Sequence, residues 1–158
     1  SAPLDEVVAA IISVIDEEDA DVVVGYDPSG GYGHPDHIRV HHAVRAAALQ
    51  ARRTPRLFEV TLPREPIANA VRMAAATRLT PPEFDPAEFA RAWTPRADIT
   101  HRVNVRDYVD QKRASLAAHA SQASADDSTR TLAVLLRLPG PVFRQLLGTE
   151  YYVAVDSA

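Results

Sequence analysis

Asp21-Val22-Val23-Val24-Gly25-Tyr26 running on into Asp27-Pro28-Ser29-Gly30-Gly31-Tyr32-Gly33-His34-Pro35-Asp36-His37 is the stretch from which the fold can be read. The first part is short, β-branched and bounded by turn formers, which predicts a strand buried on both faces of a parallel sheet. The second part is a glycine-rich loop that leads directly into a helical pattern. In open α/β sheets ligands bind at this place, beyond the carboxyl end of a strand.

On the N-terminal side, Leu4, Val7, Val8, Ile11, Ile12 and Ile15 recur at i, i+3, i+4 and i+7, so the spacing predicts an amphipathic helix over 4–18. On the C-terminal side a helix is expected over 36–52, a strand over 56–62 and a helix over 65–79. This alternation is that of an α/β fold with a parallel sheet flanked by helices. Pro81, Pro82, Pro86 and Pro95 then interrupt regular structure, and 80–98 is expected to form a surface excursion or lid. A strand over 99–105, a helix ending near His119, mobile backbone over 121–128 and a helical stretch over 132–147 broken at Pro139-Gly140-Pro141 follow. Glu150 to Val155 closes as a strand.

The 158 residues are 46% hydrophobic and 24% charged with a net charge of −4. That suits one globular domain and lacks the basic footprint of a nucleic-acid binder. Cysteine is absent, so a metal site would have to be built from His, Asp and Glu. No apolar run approaches the roughly 18 residues needed to cross a bilayer, and Ser1 to Glu6 lack a signal-peptide pattern. The expectation is a cytoplasmic chain without membrane contact.

In the loop, three glycines permit tight turns, and Pro35 suits the first turn of a helix. Two imidazoles and a carboxylate fall within four residues. Read from residues alone, Asp36 either caps the helix with the histidines facing solvent, or the group binds a ligand. His41, four residues after His37, shares its helix face and is expected to pack or to support it. His42 and His101 are expected to be solvated or packed. His119 lies at a helix end without an assigned role, and Tyr151 and Tyr152 are expected in a core or interface.

Gly30-Gly31-Tyr32-Gly33-His34-Pro35-Asp36-His37 resembles the second signature of the PIG-L/LmbE family of zinc-dependent N-acetylsugar deacetylases. Weaker similarity continues at Lys112 to Gln122 and at Glu150-Tyr151-Tyr152-Val153. The resemblance implies the C-terminal half of a Rossmann-like fold, and hydrolysis of the N-acetyl group of an N-acetylglucosamine-type or related amide. It implies that His37 is a zinc ligand, and that His34 stabilises the tetrahedral intermediate and protonates the leaving amine. Asp36 would orient His34, and Tyr32 would donate to the developing oxyanion, so that Tyr32 and His34 also contact substrate.

The family's early His-Pro-Asp-Asp signature, which supplies two further zinc ligands and a general base, does not occur here; the only His-Pro is His34-Pro35. The expectation is therefore that residues 1–158 are the C-terminal portion of one deacetylase domain. Its zinc site would be completed by a missing N-terminal portion or a second copy of the chain, and the chain alone would be inactive. The alternative is a noncatalytic sugar-binding or interaction module, a pseudoenzyme remnant.

Overall fold

The computed structural model describes residues 2–76, 87, 90–119 and 135–155. The expected mobile stretch 121–128 lies outside the described residues, as do 80–86, 88 and 89 of the excursion expected over 80–98. The chain divides into two compact units, Ser1–His101 with Tyr151–Ala158, and Arg102–Glu150.

In the first unit, helix α1 (Leu4–Glu17) follows Pro3 and carries Asp5 and Glu6 in its first turn, where negative charge complements the exposed amides. Strand β1 (Val22–Tyr26), helix α2 (Pro35–Gln50) and strand β2 (Arg56–Thr61) form a β-α-β unit. The two strands pair in parallel from Val22 opposite Arg56 to Tyr26 opposite Val60. Helix α3 (Arg64–Ala76) follows.

One side of the sheet is well covered. Val8 and Ile15 of α1 pack with Ala43, Ala47 and Ala51, and Val44 and Ala48 pack on Leu57, with Val23 and Val155 alongside. Small residues on α2 allow close approach. At Gly25 a β-carbon would lie 3.1 Å from Val44 Cγ1, so glycine brings the helix down onto the strand.

The strand order is β1-β2-β4-β3, with β3 at His101–Asn104 and β4 at Thr149–Val155. The α/β class expected from the alternation is observed. Because β4 pairs antiparallel to β2, from Leu57 opposite Val155 to Thr61 opposite Tyr151, the sheet is mixed. The expected burial of β1 on both faces is corrected. Among the described residues β1 is an edge strand, and Val22 and Val24 are 48% and 52% exposed because α1 and α2 cover only the opposite face. An apolar run reports affinity for a nonpolar surface, not which part of the chain supplies it.

Within the second unit, helix α4 (Val109–Ala118) and helix α5 (Gly140–Leu147) enclose Phe143, which is fully buried beneath the Arg113 guanidinium at 4.5 Å. Lys112 Nζ donates to Leu147 O at 3.2 Å and to Glu150 Oε1 at 2.8 Å, placing a cation at the C-terminal end of α5. The break expected at Pro139-Gly140-Pro141 becomes the start of α5. No helix among the described residues is long and apolar enough to cross a membrane.

Candidate functional site

The site loop is tied down by a residue whose role the sequence pattern did not reveal. Asp27, at the end of β1, is completely buried. Its Oδ1 accepts from Ser29 Oγ at 2.7 Å and from the Gly31 amide at 2.9 Å. Its Oδ2 accepts from Thr61 Oγ1 at 2.5 Å and from Thr94 Oγ1 at 3.5 Å. A buried carboxylate is costly unless its oxygens are satisfied, and here both are. One side chain thus joins the ends of β1 and β2 to the segment around Thr94. The available signal was an Asp followed by Pro-Ser-Gly, a pattern that bonds its own backbone in turns.

Beyond Asp27 the backbone reverses. The Gly30 amide donates to Asp27 O at 2.9 Å, and Gly30, Gly31 and Gly33 have φ of 62°, 71° and 92°. At Gly30 a β-carbon would also come within 2.7 Å of Ile38 Cγ1 and 2.8 Å of the Ile38 amide nitrogen. Only glycine fits there.

This reversal brings four rings together. Tyr26 stacks on His37 with centroids 4.1 Å apart and planes 6° from parallel. His34 and His37 are 4.8 Å apart, and Tyr32 meets them edge-on at 6.0 Å and 5.5 Å. Tyr32, His34 and His37 therefore share one place beyond the carboxyl end of β1.

The hydrogen bonds distinguish the two imidazoles. His34 is the N-cap of α2, and its Nδ1 accepts the Asp36 amide at 3.1 Å. In the neutral ring the proton then resides on Nε2. His37 Nδ1 lies 3.2 Å from Gly30 O, and as donor to that carbonyl it leaves the Nε2 lone pair available to a metal, an arrangement typical of ligating histidines. Asp36 reaches His34 through its amide, and its own side chain is exposed. The helix cap is thus His34, not Asp36 as the capping alternative had it.

His37 has the form of a metal ligand, but no cluster of three His, Asp or Glu side chains able to hold an ion occurs among the described residues. His41 is buried, with Nδ1 2.9 Å from Tyr26 O and 3.3 Å from Glu59 Oε1. Glu59 in turn accepts from Arg45 Nη1 at 2.7 Å. His41 thus anchors α2 to the end of β1 and the middle of β2. His101 packs against Phe58 at 5.0 Å, and His119 Nδ1 lies 2.8 Å from Ser115 O at the exposed end of α4.

No family model matches the chain. Curated relatives do. It is 38% identical over 151 residues to a protein of Saccharomonospora viridis named 1D-myo-inositol 2-acetamido-2-deoxy-alpha-D-glucopyranoside deacetylase, covering 95% of this chain and 53% of that protein. A protein of the same name from Nocardia farcinica is 37% identical, with the same two coverages. The Rhodococcus jostii protein of that name is 33% identical over 100% of this chain and 56% of its own length. The chain spans about half the length of the curated relatives it matches.

Proposed function

The chain belongs to the PIG-L/LmbE-like family of those deacetylases, and from that premise we propose that it forms part of a zinc-dependent hydrolase removing the acetyl group from an N-acetylglucosamine conjugate. The observation that carries this reading is the gathering of Tyr32, His34 and His37 where the glycine loop enters α2, with the two imidazoles in different hydrogen-bonding states.

His37 is assigned as one zinc ligand through Nε2. A catalytic zinc site normally takes three protein ligands and leaves one position open, so two more are assigned to sequence beyond this chain. When bound there, zinc makes water nucleophilic near neutral pH and polarises an amide carbonyl.

The remaining roles belong to residues of this chain. Tyr32 donates its hydroxyl to the oxygen on which charge develops. His34 donates from Nε2 to the same oxygen and, as an imidazolium, passes its Nε2 proton to the departing nitrogen, which leaves a neutral ring protonated at Nδ1. A doubly protonated ring needs an acceptor at Nδ1 in place of the Asp36 amide. The Asp36 carboxylate, on the same first turn of α2, is assigned that part. Asp36 is therefore assigned to His34 twice, by its amide while Nδ1 is unprotonated and by its carboxylate while Nδ1 carries a proton.

The test is to incubate the full-length protein with the N-acetylglucosamine–inositol conjugate named in its relatives, and to quantify primary amine. Amine release that requires zinc is expected. Binding of the conjugate without amine release would replace this reading with that of a noncatalytic sugar-binding module.

A further inference from the structure

Trp93 has φ of +55°, in the left-handed region that bulky side chains rarely occupy. Such a conformation persists only where its surroundings enforce it, and strained positions of this kind gather at functional sites. The enforcement here is extensive. Arg64 Nε donates to Ala92 O at 3.0 Å, Arg64 Nη2 to Trp93 O at 2.5 Å, and the Arg64 amide to Thr94 O at 3.0 Å. The Thr94 amide donates to Thr61 Oγ1 at 3.1 Å. The Arg96 amide donates to Glu65 Oε2 at 2.9 Å, which holds that carboxyl below its ordinary range.

The result is to station the indole against the glycine loop. The Trp93 amide donates to Gly31 O at 2.8 Å, and Trp93 Nε1 lies 3.6 Å from where a β-carbon on Gly31 would be. Gly31 is the immediate neighbour of Tyr32. A half-buried aromatic ring from a distant part of the chain thus borders the site loop at the cost of a strained backbone.

We propose that Trp93 is a substrate-contacting residue whose indole receives the apolar C–H face of the sugar ring that carries the acetamide. An indole combines a large apolar face, negative at its centre, with one polar N–H, which suits a ring bearing C–H groups on its faces and hydroxyls at its rim. This rests on the deacetylase reading, because the sugar is the ligand that reading brings to the loop.

Trp93 is the sole tryptophan of these 158 residues. The difference in fluorescence between the full-length wild type and its Trp93→Phe variant therefore isolates its signal. Titrating the N-acetylglucosamine–inositol conjugate should change that difference signal saturably. In the zinc-loaded enzyme, Trp93→Gly should raise KM roughly 5- to 10-fold with little change in kcat or zinc content, and Trp93→Phe, which keeps a ring face, should recover part of the loss.

An easier thermal unfolding of Trp93→Gly with unchanged KM would mark a packing residue and overturn the proposal. Absence of a difference signal on adding the conjugate would overturn it too, whether or not amine is released. A saturable signal without amine release from the wild type would overturn the deacetylase reading and leave the sugar contact standing.

Discussion

Gly30 has no room for a side chain, and the cost of adding one can be stated. Gly30→Ala places a methyl group against the Ile38 backbone and in a positive-φ conformation. It should lower the unfolding free energy by about 1–3 kcal/mol in urea denaturation. Asp27→Asn tests the other half of the turn. It keeps the volume but turns one acceptor oxygen into a donor facing Ser29 and the Gly31 amide, or Thr61 and Thr94. A loss of about 1–3 kcal/mol is expected, with a larger fall in activity than a comparably destabilising change far from the loop. A variant as stable and as active as the wild type would mean that Asp27 does not organise the site.

Helix α2 presents His34 and His37 at its start and is pinned by His41 one turn later. His41→Ala removes the bonds to Tyr26 O and Glu59 and leaves the Arg45–Glu59 pair without its buried neighbour. It should lower stability by about 2–3 kcal/mol while the zinc content of the full-length protein is retained. Loss of zinc without loss of stability would make His41 a ligand. Much of this level was legible in the residues. The spacing from Leu4 to Ile15 marked α1, and the order strand, glycine loop, helix was readable around the candidate site, because both are set by near neighbours in the chain. What was not legible depends on distant partners. Asp27 acquires its role from Thr61 and Thr94, His41 from Glu59, and Trp93 from Gly31. The apolar run of β1 matched an interior strand equally well, since its composition does not say which face another segment will cover.

That uncovered face matters for the protein as a unit. In sheets with parallel strands helices normally cover both faces, yet among the described residues β1 is an edge strand with Val22 and Val24 exposed on one face. The site loop at the end of that strand holds one candidate zinc ligand of an expected three. The isolated 158-residue chain should therefore contain far less than one zinc per molecule after dialysis and should release no amine. Stoichiometric zinc with robust turnover, and an intact mass excluding a second polypeptide, would place the complete site within these residues. The division of labour between two neighbouring histidines rests on a comparison of zinc content and amine release in the full-length wild type, His34→Ala and His37→Ala. His34→Ala should keep its zinc while kcat falls roughly 10²–10⁴-fold, and His37→Ala should lose its zinc; full zinc in His37→Ala together with wild-type turnover in His34→Ala would contradict the assignment.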